Sequence, residues 1–159
     1  MIYITGDCHA DFRRFNTDIF PEQNEMTKED YVIICGDFGF VWNKSRAEQK
    51  ILKAFSKRKY NICFIDGTHE NFELLNAYPV SEWNGGKVHH IIGSVYHLMR
   101  GQIFNIDGLR IFTMGGGESP DVDIRIANDT WYPEESPSQQ ELIEGAENMA
   151  TYNNIVDIV

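Results

Sequence analysis

Three short apolar runs, each followed directly by a glycine and an aspartate, place the strongest constraint on the fold of this chain. They are residues 1–5, 31–35 and 61–65, and the pairs that follow are Gly6-Asp7, Gly36-Asp37 and Asp66-Gly67. Short isoleucine-containing runs without polar alternation are typical of strands that are buried on both faces. A segment with helical spacing follows each run, so we expect parallel strands with right-handed crossovers, as in α/β proteins.

The segments after the three runs differ in how strongly they predict a helix. Phe12, Phe15 and Ile19 are spaced i, i+3, i+7 and predict one apolar helical face before Pro21. Residues 46–58 predict an amphipathic helix that covers the sheet. A short helix is expected through Leu74 and Leu75, before Pro79.

The second half of the chain has a different pattern. Short apolar runs at 88–92, 94–98, 102–106 and 109–114 follow one another without helices, which predicts antiparallel strands. Asp107-Gly108 predicts a two-residue hairpin turn, because a type I′ turn needs positive φ at both central positions. Residues 115–137 are expected to be a polar loop.

The C-terminal segment predicts a helix and a strand. Ser138-Gln-Gln-Glu141 is a capping box, and it opens a helix that should end at Asn153-Asn154. The apolar face of this helix would consist of Leu142, Ile143, Ala146, Met149 and Ala150. The last apolar run, 155–159, predicts a further strand.

Length and charge limit the classes of function. The 159 residues fit a single domain, 1–159, and the formal net charge of −10 disfavours stable non-specific binding to nucleic acid. No run approaches the roughly 18 apolar residues of a membrane span, and the N-terminus turns polar too early for a signal peptide.

Cys8, Cys35 and Cys63 form no C-x-x-C pair, so we expect free thiols and a cytoplasmic protein, with Cys35 and Cys63 in the core.

The polar residues after the three strands predict a metal site. Parallel strands share one carboxyl edge, so Asp7-Cys8-His9, Asp37 and Gly67-Thr68-His69-Glu70 should meet there. If strand geometry continues past Gly6, Asp7 and His9 point to the same side, and Asp37 comes from the neighbouring strand. Carboxylates and imidazoles suit divalent manganese, iron or zinc.

These loops carry a family resemblance. The order Gly6-Asp7-Cys8-His9, Gly36-Asp37-Phe38-Gly39 and Gly67-Thr68-His69-Glu70 resembles the G-D-x-H, G-D-x-x-D/G and G-N-H-E/D motifs of the calcineurin-like metallophosphoesterases. The resemblance implies an α/β fold, the calcineurin-like α-β-β-α sandwich with mixed sheets, and hydrolysis of a small phosphate mono- or diester. It also implies one or two metal ions, with Asp7 and His9 on the first, Asp37 bridging both, and His69 as the catalytic histidine that contacts the phosphate.

Two departures from the family pattern bear on activity. Thr68 stands where the family has an asparagine ligand, and a hydroxyl is the shorter and weaker donor to a metal. The family's C-terminal histidine motifs, an isolated histidine and a G-H-x-H, do not occur in these 159 residues. We therefore expect a family member that lacks its C-terminal strands, with a homodimer or a partner chain covering the open sheet edge.

The sequence allows two interpretations of Arg13 and of the tryptophans. Arg13 would either steer the phosphate or be an outward-facing helix charge, and the tryptophans either border the pocket or pack elsewhere. His89, His90 and His97 are expected to be surface or structural histidines, and Asp121 part of a solvated loop. The alternative function is a degenerate, non-catalytic binding module of the same fold. A nucleotide-binding domain without metal ranks last, since no glycine-rich fingerprint follows the first strand.

Overall fold

A six-stranded mixed sheet and a separate hairpin organise the chain in a computed structural model that describes residues 1–159. The strands of the large sheet are β1 Ile2–Gly6, β2 Tyr31–Cys35, β3 Asn61–Ile65, β4 Val80–Trp83, β5 Gly86–Ile92 and β6 Val95–Leu98, in the order β1-β2-β3-β6-β5-β4. Neighbouring strands from β1 to β6 in this order are parallel, and β6-β5-β4 are antiparallel. Strands β7 Gln102–Ile106 and β8 Leu109–Thr113 form the hairpin.

Four α-helices and three 3₁₀ helices connect these strands. The α-helices are α1 Arg46–Phe55, α2 Phe72–Asn76, α3 Val122–Ala127 and α4 Gln139–Thr151, and the 3₁₀ helices are Phe12–Phe15, Pro21–Asn24 and Pro133–Glu135. Helix α1 is the crossover between β2 and β3, and α2 follows the loop after β3. No helix combines the length and the hydrophobicity that a membrane crossing needs.

The central strands β2 and β3 are buried on both faces of the sheet, whose successive side chains point to opposite sides. Strand β1 is only partly buried and Ile4 is 59% exposed, so the prediction of burial on both faces was wrong for residues 1–5. On one face, Ile34 and Phe64 pack with Phe55 of α1. On the other face, Ile33 and Cys63 pack against residues of the hairpin, among them Phe104 and Ile106. Helix α4 lies on the hairpin's outer side, and the order of layers is the α-β-β-α sandwich that the resemblance implied.

Helix α4 packs through a glycine rather than through its apolar face. Leu142 and Ile143, predicted to be buried, are exposed, whereas Gly145 is buried. A β-carbon at Gly145 would lie 3.2 Å from the Phe112 ring, so the absence of a side chain allows the helix to approach the hairpin closely. The predicted apolar face of α4 was therefore wrong. The expectation that a homodimer or a partner chain covers the open sheet edge stays a prediction.

Other local expectations were wrong in identifiable ways. The helix predicted from Phe12 to Ile19 is only the 3₁₀ turn Phe12–Phe15, and Ile19 is 66% exposed. Strand β4 was not predicted. Residues 115–137, predicted to be a polar loop, contain α3 and a 3₁₀ helix, and a buried ion pair between Arg125 and Glu135 joins these two helices. The last apolar run forms a single bridge, between Ile158 and Ile111, and no strand.

The predicted turns and caps are confirmed. Asp107 and Gly108 have φ of 52° and 80°, as a type I′ hairpin requires. Ser138 and Glu141 form the reciprocal capping box of α4.

All three cysteines are free thiols, as predicted. Cys35 is exposed at the end of β2, so its predicted place in the core was wrong.

Candidate active site

The carboxyl ends of β1, β2 and β3 lie side by side and bring their three loops together. Gly6 pairs with Cys35, and Cys35 pairs with Ile65, so each strand ends level with its neighbour. The main chain continues this contact beyond the strands: the Asp7 N–H donates to the Gly36 carbonyl at 3.1 Å. The sheet thus delivers the three predicted motifs to one edge.

A turn, and not a continued strand, brings Asp7 and His9 together. Strand β1 ends at Gly6, and Asp7 and His9 have φ of 53° and 42° in the left-handed region. His9 Nε2 nevertheless lies 2.7 Å from Asp7 Oδ1. The predicted proximity is correct, but the predicted cause was wrong, because strand geometry does not persist past Gly6.

Three side chains meet at this edge in a cluster. Asp37 Oδ2 lies 3.5 Å from His9 Nε2 and 3.2 Å from His69 Nδ1. One potential ligand atom from each of these three residues lies within 4.8 Å of the other two. The histidine rings meet edge to face, with their centroids 5.3 Å apart. The cluster offers two imidazoles and one carboxylate to a single small ligand.

Three residues of the site have a left-handed backbone conformation. Asp7, His9 and Asp37 all have positive φ, and Asp37 has a φ of 52°. Each such non-glycine residue costs about 1–2 kcal/mol relative to a right-handed conformation. Strain of this kind persists where the surrounding structure enforces it, which is characteristic of functional sites.

Comparison with known proteins agrees with this geometry. The family model for calcineurin-like phosphoesterases matches residues 1–156. The chain belongs to the calcineurin-like phosphoesterases. This family uses divalent metal ions, and the cluster lies on the residues where the family resemblance put the site.

Two curated relatives of this calcineurin-like phosphoesterase are lariat debranching enzymes. Lariat debranching enzyme A of Xenopus laevis is 28% identical, and the alignment covers 72% of this chain and 23% of the relative. The lariat debranching enzyme of Drosophila pseudoobscura pseudoobscura is 26% identical, with the same coverage. The chain thus spans about a quarter of the length of these relatives. No solved structure matches the chain.

The donor set of this phosphoesterase fits a divalent metal ion. Asp37 is mostly buried, and Asp7 and His9 are open to solvent, so an ion has access to the cluster. The mixture of imidazole nitrogen and carboxylate oxygen suits manganese, iron and zinc better than calcium or magnesium, which prefer oxygen ligands.

Glu70 is a buried residue that holds the loop after β2 in position. Its side chain is 1% exposed, and it accepts hydrogen bonds from the main-chain N–H of Phe38 at 2.7 Å and of Gly39 at 3.4 Å. Burial raises the pKa of the Glu70 carboxyl to about 8, against the opposing effect of these two donors. The sequence pattern indicated no role for Glu70, although this glutamate directly follows a predicted site residue in the motif.

The structure brings Thr68 to the cluster but does not bring Arg13 there. Thr68 Oγ1 lies 3.0 Å from His69 Nδ1, so its hydroxyl contacts the histidine ring. Arg13 is exposed, and its guanidinium makes a two-pronged ion pair with Asp11, with both N–O distances 2.8 Å. None of its hydrogen bonds reaches the cluster, and its predicted role in substrate binding stays a prediction.

Asp121 is a neighbour of the site that the sequence pattern did not predict. Its Oδ2 lies 3.9 Å from His69 Nε2, and its Oδ1 is buried without a hydrogen-bond partner. Asp121 was expected in a solvated loop, but the loop is fixed, because the buried Arg125 donates to Ser119 and pairs with Glu135. Arg125 and Glu135 are far apart in the sequence, so no helix or strand periodicity could predict that their ion pair fixes this loop.

Two of the three remaining histidines, His89 and His97, belong to a separate buried network. His89 Nδ1 lies 3.0 Å from His97 Nδ1, and His97 Nε2 lies 3.0 Å from Asp66 Oδ1. Arg100 donates two hydrogen bonds to Asp66 Oδ2, at 2.6 and 2.8 Å. Burial, and next the charge of His97, lower the pKa of His89 to about 4. His89 and His97 are thus structural, as expected, and His90 is exposed.

Proposed function

We propose that this chain hydrolyses phosphate mono- or diesters with the help of divalent metal bound at the cluster of His9, Asp37 and His69. The observation that carries the proposal is the convergence of these three side chains, with ligand atoms within 4.8 Å of one another, at the carboxyl edge of three parallel strands. Their order along the chain is that of the family motifs.

The proposed ligands are Asp7 and His9 for a first ion and Asp37 as the residue shared with a second. Thr68 would complete the second site with a weaker oxygen ligand. Manganese, iron or zinc would suit these donors. A bound cation would supply positive charge for the phosphoryl oxygens and a Lewis acid that activates water. The chain itself would then need no side-chain nucleophile.

His69 is proposed to contact the phosphate and to protonate the leaving oxygen. Its main-chain N–H donates to Asp37 Oδ1 at 2.9 Å, and its Nδ1 lies close to Oδ2 of the same carboxylate. With Nδ1 donating to Asp37, Nε2 remains for the substrate. These contacts hold the ring in one orientation, which is what proton transfer to a positioned oxygen requires.

The relatives guide the choice of substrates. Both are named as lariat debranching enzymes, so a lariat RNA belongs among the substrates to be tested with this chain. The net charge of −10 disfavours binding along an extended phosphate backbone. A small ester, or one diester linkage held at the cluster, fits the charge of the chain better.

A second candidate function is a metal-binding module without catalysis. The observation that favours it is Thr68, whose hydroxyl lies 3.0 Å from His69 Nδ1 instead of offering the longer amide ligand of the family. Such a module would bind the ion and the phosphate but leave the ester intact.

Hydrolysis of p-nitrophenyl phosphate and bis(p-nitrophenyl) phosphate, with and without added Mn²⁺, tests the proposal. We expect metal-dependent turnover by the wild type, its loss in Asp37→Ala, and an increase in Thr68→Asn if the second metal site limits the rate. Equal background rates in the three proteins, together with retained Mn²⁺ binding by the wild type, would favour the binding module.

A further inference from the structure

A cavity of about 420 Å³ opens directly beside the cluster, with His9 and His69 in its wall. The rest of its wall combines five apolar residues, Ala10, Phe40, Trp42, Ala47 and Ile51, with Gly39, Asn43, Ser45 and Glu48. We call it the Trp42 cavity. Its volume falls in the range of roughly 300–1,000 Å³ that is typical of small-molecule sites, and apolar walls with a few polar groups are the usual lining of such sites.

The loop that carries Trp42 is held in place by three main-chain N–H groups that donate to one carboxylate. The Glu48 carboxylate accepts from the main-chain N–H of Trp42 and Asn43 at 2.8 Å and of Lys44 at 3.0 Å. Glu48 is itself buried and belongs to α1, so the loop is fixed to a regular element.

A second anchor fixes the same loop to the site. Asn71, the N-cap of α2, donates from its side chain to the Trp42 carbonyl at 2.8 Å. Asn71 follows His69 by two residues, and the loop therefore cannot move away from the catalytic motif without breaking this bond. The cavity is formed before any ligand binds, which reduces the ordering cost of binding.

The position of the cavity determines what it would receive. His9 and His69 belong both to the cluster and to the cavity wall, so a phosphate held by the cluster places its ester group at the cavity mouth. A second cavity, about 430 Å³, also adjoins the cluster, and its wall contains Asp7, Asp37 and Asp66, four glycines and several apolar residues. Its wall includes the aromatic Phe112, but Asp7 and Asp37 are proposed metal ligands, so this side would hold the ions rather than the group esterified to the phosphate.

We propose that the Trp42 cavity binds a planar aromatic group on the substrate, either a nucleobase or a simple aryl ring, next to the phosphate. This inference rests on the proposed function, and it names the class of ester that the site selects. An indole beside aliphatic side chains is suited to stack with a flat ring, whatever the ring's hydrogen-bonding edge.

Binding to the Mn²⁺-loaded protein, measured by isothermal titration calorimetry, tests the proposal with four ligands. The ligands are adenosine 5′-monophosphate, phenyl phosphate, ribose 5-phosphate and inorganic phosphate. We expect one or both aromatic ligands to bind about 5- to 150-fold more tightly than ribose 5-phosphate, the range for stacking one base on an aromatic side chain. The stronger of the two aromatic ligands identifies a nucleobase or a simple aryl ring.

Three variants locate the preference. Trp42→Ala should remove it without changing the affinity for inorganic phosphate, and Trp42→Phe should retain most of it. Trp131→Ala is the matched control, since Trp131 does not line the cavity. Equal affinity of the wild type for aromatic and non-aromatic esters, or an equal loss for all ligands in Trp42→Ala, would overturn the proposal and leave the proposed function standing. The absence of Mn²⁺-dependent phosphate binding in the wild type would overturn both.

Discussion

Gly67 lies directly against the side chain of Asp37. A β-carbon on Gly67 would overlap with Asp37 Oδ1 and would lie 2.5 Å from the Asp37 main-chain nitrogen. The close approach of these two loops therefore depends on the missing side chain, and it places the Asp37 carboxylate between His9 and His69. The glycine of the third motif has a steric role, independent of backbone φ.

Substitution of Gly67 by alanine should displace Asp37. We expect Gly67→Ala to lower the free energy of unfolding by about 1–3 kcal/mol, as overpacking does, and to weaken Mn²⁺ binding. Gly108→Ala is the control: Gly108 has a φ of 80° and open space around it, so the variant should lose only about 1–2 kcal/mol from backbone strain and keep its metal affinity. Urea unfolding and calorimetric Mn²⁺ titration measure both effects. Unchanged metal affinity in Gly67→Ala would contradict this account.

Arg100 compensates a buried charge. Asp66 is 3% exposed, and although burial alone would raise its pKa, its hydrogen bonds with His97 and Arg100 and their charges hold the pKa below its ordinary value. Arg100→Met should lower the free energy of unfolding by about 3–5 kcal/mol, because it leaves this carboxylate with one fewer partner.

The control for Arg100 is a solvent-exposed ion pair. Lys87 pairs with Glu144 at 2.5 Å near the surface, and Lys87→Met should cost no more than about 1 kcal/mol. Asp66→Asn combined with Arg100→Met should recover part of the loss by removing the uncompensated charge. A cost for Arg100→Met no larger than that for Lys87→Met in urea unfolding would show that the network adds no specific stability.

His89 should make the stability of the protein depend on pH. Its pKa is lowered to about 4 in the folded state, and an unfolded histidine titrates near 6.5. Between these values the unfolded chain binds one more proton than the folded one, so the free energy of unfolding rises with pH across this window and is reduced below it. The contribution to the slope is at most about 1.4 kcal/mol per pH unit.

Urea unfolding between pH 4 and 7.5 checks this dependence. His89→Asn should show a shallower slope than the wild type, because an asparagine can donate to His97 but does not titrate. His90→Asn, at the neighbouring exposed position, should keep the wild-type slope. Identical slopes in wild type and His89→Asn would be incompatible with a depressed His89 pKa.

Strands and motif positions could be predicted from the sequence because they depend on local patterns. Tyr31–Cys35 and Asn61–Ile65 form strands as predicted, since buried parallel strands are recorded as short apolar runs. The convergence of Asp37 and His69 follows from the parallel order of those strands. The Asp7 turn could not be predicted, because a left-handed conformation at an aspartate has no reliable sequence signal.

The misplaced elements depend on contacts between distant residues. Helix α4 presents Gly145 to the hairpin and leaves Leu142 exposed, a choice set by the close approach to Phe112 and not by periodicity. Asp121 reaches His69 because Arg125 and Glu135 fix its loop. The Trp42 cavity could not be predicted, because the sequence does not distinguish a packed tryptophan from one beside the site.

The central claim is that Asp37 and His9 hold a divalent metal beside His69, and calorimetric titration of Mn²⁺ into chelator-treated protein tests it most directly. Asp37→Asn retains an oxygen that can accept from the His69 N–H but removes the charge, and Asp18→Asn is the matched control at an exposed aspartate. We predict saturable binding by the wild type and Asp18→Asn, and at least about 10-fold weaker binding by Asp37→Asn, since loss of a partner that only orients a ligand already costs about 10- to 100-fold. Equal Mn²⁺ affinity in all three proteins, or no binding by the wild type, would contradict the claim.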